Sequence, residues 1–113
     1  MFDGQPKEVL IYRAADGTRP FAEWRDNLND RAALARIQTR LDRLEEGNPG
    51  DYKSIGGGLY ELRIKFGAGY RVYFAFNGLQ IVLLLCGGTK KTQQADIEAA
   101  RTYWKDHQER ETA

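Results

Sequence analysis

The sequence predicts an α+β domain in which a strand and two helices precede an antiparallel meander of about four strands and a final helix. Three observations carry this. Residues 58–76, GLYELRIKFGAGYRVYFAF, alternate apolar and polar side chains on either side of Gly67-Ala68-Gly69, as the two arms of a hairpin do. Apolar residues recur at helical spacing around residues 21–28, 34–44 and 97–104. A chain of 113 residues, 42% hydrophobic, is long enough for one core and too short for two, so a single domain spanning 1–113 is expected.

Each element has its own signal. Residues 8–13 (EVLIYR) form a first strand with Val9 and Ile11 on one side, and Asp16-Gly17 ends it. Pro20 suits the first turn of a helix, and Phe21, Trp24 and Leu28 follow on one stripe. Asp30 suits the N-cap of a second helix, whose stripe is Leu34, Ile37, Leu41 and Leu44 and which Gly47 stops. Another side of that helix carries Arg36, Arg40 and Arg43. With Asp42, Glu45 and Glu46 close by, this row reads as a solvated face. Glycine-rich residues 47–58 make turns around a short strand at Tyr52–Ile55.

In the meander, Tyr60, Leu62, Ile64 and Phe66 share a face with Tyr70, Val72, Phe74 and Phe76. A three-residue loop closing Phe66 on Tyr70 sets Lys65 opposite Arg71 and Arg63 opposite Tyr73. The second face then carries three cations, a phenol and the carboxylate of Glu61. Asn77-Gly78 is a strong hairpin signal. Pairing Phe76 with Leu79 sets Leu84 beside Arg71 and Val82 beside Tyr73. The run Leu79–Cys86 reads as a strand covered on both faces. The string GGTKKT then opens a last helix over roughly 93–108, with Ile97, Ala100 and Trp104 as its stripe.

The formal charge of +1 conceals segregation. Residues 1–50 hold eight Lys/Arg against nine Asp/Glu, residues 51–92 six against two, and residues 93–113 three against five. A basic sheet region between neutral and acidic flanks is the footprint of a nucleic-acid or acidic partner. One cysteine excludes an internal disulfide and a cysteine-cluster metal site. No cofactor is implied, and no His, Cys or Asp cluster has metal-ligand spacing. No apolar run approaches membrane length and no signal peptide is evident, so a cytoplasmic location is expected.

The candidate site follows from the cationic face. Arg63 and Arg71, with Lys65 as neighbour, are placed to cradle a phosphate; pairing with Glu61, Asp51 or an acidic helix residue is the alternative. Tyr73 is placed to stack on a base or hold a phosphate oxygen, or else to sit half-buried in the sheet. Lys90 and Lys91 stand beside a helix N-terminus, where backbone N–H groups favour an anion. The spacing GxxxxGK[ST] is absent, which rejects a nucleotide-triphosphate loop. Lys53, in the glycine-rich segment, is a candidate base. His107 and Cys86 read as structural.

The run GDYKSIGGGLYELRIKFGAGYRVYF, followed by LLLCGGTKKTQ and D-I-x-x-A-x-x-Y-W, closely resembles the addiction-module killer proteins. These are HigB-like members of the RelE/ParE toxin superfamily. The similarity extends over Phe21-x-x-Trp24 and the pattern Arg40-Leu41-x-Arg43-Leu44. It implies a RelE-like fold and the toxin of a type II toxin–antitoxin module, acting as a metal-independent endoribonuclease that cuts mRNA on the ribosome. By the resemblance, Arg63 and Arg71 hold the phosphate, Lys90 matches a basic residue after the last strand and Lys53 is the base. Lys65, Tyr73 and Lys91 bind RNA. Lys91-Thr92-Gln93 replaces the tyrosine or histidine of many relatives, which leaves Tyr73, Lys90 and His107 as stand-ins for the general acid. The implied partners are mRNA, the ribosome and a cognate helix-turn-helix antitoxin, with a toxin–antitoxin hetero-oligomer on operator DNA. A ParE-like topoisomerase inhibitor and an inactive antitoxin-binding module are the alternatives.

Overall fold

The computed structural model describes residues 2–112. Its elements run β1 (Glu8–Ile11), α1 (Pro20–Asp26), α2 (Arg31–Glu45), β2 (Tyr52–Gly56), β3 (Leu59–Ile64), β4 (Tyr70–Phe76) and β5 (Ile81–Thr89). A single 3-10 turn (Lys90–Thr92) and α3 (Gln93–Thr112) complete it. The fold is α+β, and its five-stranded mixed sheet has the order β1-β5-β4-β3-β2. Strands β2 to β5 are an antiparallel meander, and β1 adds to its far edge parallel to β5, with Val9 opposite Val82.

Both faces of the sheet are buried. On one, Ala33, Ile37, Leu41 and Leu44 of α2, together with Phe21 of α1, pack on Leu62, Ile64, Val72, Phe74, Val82 and Leu84. On the other, Ala100 and the half-buried Ile97, Tyr103 and Trp104 of α3 cover Leu59, Tyr73, Ala75, Leu83, Leu85 and Cys86. This two-sided cover is why β5 is apolar without alternation. Asp30 caps α2 by accepting from the Ala33 N–H at 3.1 Å. Gly47 ends that helix at φ +88°, where its missing Cβ leaves room for the Gln5 carbonyl.

Two registers differ from expectation. Ile64, not Phe66, pairs with Tyr70, so Arg63 lies directly opposite Arg71 and Glu61 opposite Tyr73. Lys65 and Phe66 leave the ladder for the connecting loop, where Phe66 packs beneath Arg36. In the next hairpin Phe76 pairs with Val82 rather than Leu79, and residues Asn77–Gln80 form the turn. The reason is the period of two: pairing Phe76 with Leu79 turns Leu84 away from the α2 core, whereas the observed pairing sets Leu84 beside Phe74 within it. Nor do Gly87-Gly88 open the last helix. They belong to β5, beyond a bulge at Tyr73/Phe74, opposite Val72 and Arg71. A Cβ on Gly87 would enter the Trp24 ring and one on Gly88 the Asp96 carboxylate, so close packing dictates both glycines.

Candidate functional site

The odd-numbered residues of β3 and β4 point toward α3, and that helix stops short of covering them all. Glu61 and Tyr73 lie under it, wholly buried. One step further along the strands, Arg63 and Arg71 emerge past the helix start. There the β3–β4 loop and the turn before α3 enclose a cleft of about 410 Å³. Its walls include Arg63, Lys65, Phe66, Tyr70, Arg71 and Lys90, and among the described residues no carboxylate lines it.

Two arginines directly opposite would repel. Each is offset by a carboxylate set back from the cleft. Arg63 donates through Nη2 to Asp51 Oδ1 at 3.0 Å, and Asp51 Oδ2 lies 3.9 Å from the exposed Lys65 ammonium. Arg71 places Nε 3.4 Å from Glu61 Oε2, while its Nη1 donates to the Gly69 carbonyl at 3.2 Å. Glu61 Oε2 also accepts from Gln93 Nε2 at 2.7 Å and from the Tyr73 hydroxyl at 3.2 Å. The same Gly69 carbonyl accepts the Lys90 N–H at 2.8 Å, which fastens the turn before α3 to the β3–β4 loop. The guanidiniums are therefore held in place, with Arg63 Nε and Arg71 Nε buried and without a hydrogen-bond partner among the described residues. A fixed pair of guanidiniums of this kind suits bidentate contact with an oxyanion such as a phosphate.

Of the seven residues singled out in the sequence, the structure brings together four: Arg63, Arg71, Lys65 and Lys90. Tyr73 is a correction. It is fully buried, spends its hydroxyl on Glu61, and burial with the adjacent Glu61 carboxylate raises its pKa well above the ordinary phenol value, so it offers nothing to a ligand. The cause is α3, which covers this part of the face and buries the ring completely, where the sequence allowed a half-buried tyrosine at most. Lys91 is exposed on the turn but does not line the cleft. Lys53 sits on β2 opposite Glu61 and lines a separate, aromatic cleft with Phe2, Tyr52, Tyr60 and Phe76. His107 stacks on Trp104 and approaches Glu111 Oε1 at 3.3 Å, at the end of α3 where Asn77 meets Glu111. Cys86 is buried as expected; burial and nearby Asp96 push its thiol up to about 12.

Two residues do more than the sequence reading gave them. Glu61, named there only as one alternative partner of the arginines, is a fully buried counter-charge beside Arg71. Arg40 is no solvated side chain: it donates to the carbonyls of Arg63, Pro49 (2.8 Å) and Asp51 (3.0 Å) and so pins the segment before β2 against β3. The glycine-rich run before β2 was the available clue, because its carbonyls need partners.

Among the described residues, no three His, Cys, Asp or Glu side chains cluster as metal ligands, and no helix is long and apolar enough to cross a membrane. The profile of the family described as Phage derived protein Gp49-like (DUF891) matches residues 23–105. An uncharacterized protein of Haemophilus influenzae is 46% identical over 84 residues, covering 74% of this chain and 85% of that protein. The chain belongs to the Gp49-like phage-derived family.

Proposed function

We propose that this Gp49-like protein is the toxin of a toxin–antitoxin module and that it cuts mRNA in the cleft between Arg63, Arg71 and Lys90. The observation that carries the reading is the convergence of four cations from β3, β4, their connecting loop and the turn before α3 on one carboxylate-free cleft. Association of the family with toxins of such modules supports it. In the proposed reaction the 2′-oxygen of one nucleotide bonds to the adjacent phosphorus while the bond to the 5′-oxygen breaks. The products are a 2′,3′-cyclic phosphate and a 5′-hydroxyl. The proton of the 2′-hydroxyl passes to solvent, and the Lys90 ammonium protonates the departing 5′-oxygen. Arg63 and Arg71 hold the phosphate oxygens as charge builds on them, and preorganised donors of this kind supply a large share of catalysis. The proposed partners are mRNA on the ribosome and an antitoxin of helix-turn-helix type, whose complex with the toxin occupies operator DNA.

The test is induced expression in a bacterial host, with message ends mapped by primer extension and DNA integrity followed in parallel. Growth arrest with mRNA cut inside codons is the expected result. An Arg63→Ala variant should cut about a hundredfold more slowly, the scale of losing one such donor. Damaged DNA with intact message would replace this reading with topoisomerase inhibition. Absence of any growth effect would leave an antitoxin-binding module.

A further inference from the structure

Beside the first cleft lies a second, of about 340 Å³, lined by Arg36, Thr39, Arg40, Arg43, Ile64 and Lys65. The two share Ile64 and Lys65 and so abut. Phe66 stands on the first cleft's wall, and the Arg36 guanidinium lies over its ring, 4.3 Å from the centroid. Stacking of this kind fixes a guanidinium without neutralising it.

A solvated arginine row on a helix is ordinarily offset by acids one turn away. Here it is not. Asp42 accepts from Gln38 Nε2 at 2.9 Å, and neither Asp42, Glu45 nor Glu46 lines the cleft. Arg36 and Arg43 are exposed, and among the described residues neither forms an ion pair. Arg40 is committed to backbone carbonyls and serves as the floor. One phosphate occupies one cleft; abutting clefts, both cationic and both free of acid, call for a chain of phosphates.

We infer that the α2 cleft holds flanking phosphates of the same RNA strand whose scissile phosphate sits between Arg63 and Arg71. The ligand is thus a single strand of several nucleotides, with Lys65 bridging the two clefts. This rests on the RNA-cleavage reading above and extends it along the substrate.

The test uses the purified full chain and fluorescein-labelled 2′-O-methyl oligoribonucleotides of two and eight nucleotides, which bind but lack the attacking hydroxyl. Dissociation constants are measured across salt concentrations for the wild type and for the double variant Arg36→Ala/Arg43→Ala. The octamer should bind the wild type at least tenfold more tightly than the dinucleotide. In the double variant that advantage should be lost, with the salt slope shallower by about 0.7 for each phosphate contact removed and the dinucleotide constant unchanged. An octamer constant and slope equal to wild type would overturn the inference. So would a variant that binds octamer normally but loses only ribosome-dependent cleavage, because the arginines would then touch ribosomal RNA. Should the octamer result hold while the wild type cuts no message in cells, the strand-binding inference stands and the nuclease reading falls.

Discussion

At the scale of single residues, Arg63 and Arg71 look alike in sequence and differ in consequence. Arg63 pairs with an Asp51 whose side chain is 34% exposed, so removing the guanidinium leaves a carboxylate that water can reach. Loss of that pair costs less than about 1 kcal/mol. Arg71 faces Glu61, which is fully buried, and truncating it strands a carboxylate under α3. Breaking a buried pair in this way costs about 3–5 kcal/mol. Arg71→Ala should therefore lower the thermal midpoint substantially, and inactivity in that variant alone says nothing of catalysis. Combining it with Glu61→Gln, which keeps the acceptor for Tyr73 and Gln93 without the charge, should restore most of the midpoint while cleavage stays absent. Full activity in the double variant would remove Arg71 from the proposed phosphate site. The alternation of β3 and β4 made both arginines legible as members of one face. The depth of their partners was not legible, because it depends on how far α3 reaches over the sheet.

At the scale of elements, most boundaries follow from local chemistry: Pro20 and Asp30 start helices, Gly47 ends one, and alternation marks β3 and β4. Registers did not follow. A glycine turn fixes only where a chain reverses, and the ladder is set by which side chains must share the core, as Leu84 and Phe74 do. The same limit explains Gly87-Gly88, which local pattern assigns to the approach to the last helix and tertiary packing assigns to a strand pressed against Trp24 and Asp96. Gly88→Ala tests this. A methyl there displaces the Asp96 carboxylate, which accepts from the Thr92 hydroxyl, and so loosens the turn that carries Lys90. The expected cost is about 1–3 kcal/mol, read as a lower denaturation midpoint, with cleavage falling further than Lys91→Ala makes it fall. Unchanged stability would mean that the first turn of α3 yields freely.

At the scale of the whole molecule, burying both faces of one sheet seals off acidic protons. The Cys86 thiol, ordinarily near 9.0, and the Tyr12 phenol, ordinarily near 10.0, are each pushed up to about 12, chiefly by burial; Tyr73 is raised as well. A group whose folded value is raised is protonated in the native state after the unfolded chain has already ionised. The stability it lends is complete below the unfolded value and drains away as pH climbs to the folded one. The thermal midpoint should therefore hold to about pH 9 and fall between 9 and 12. Cys86→Ala should delay the onset to about pH 10, where the phenols take over. A midpoint flat to pH 11 would contradict the two-sided burial. The same shift predicts that Cys86 resists alkylation at pH 8 until the chain unfolds.

The parallel pairing of β1 with β5 also dictates when this molecule can exist. Residues 8–11 are synthesised well before their partners, residues 81–84, with two helices and three strands between them. Long-range pairings of this kind close late and slowly. Lys90 follows that partner strand directly, and the helix that shields Glu61 comes later still. A translating cell therefore holds no competent copy until residues beyond β5 have been made, and fragments that stop before residue 81 carry neither a closed sheet nor a finished cleft.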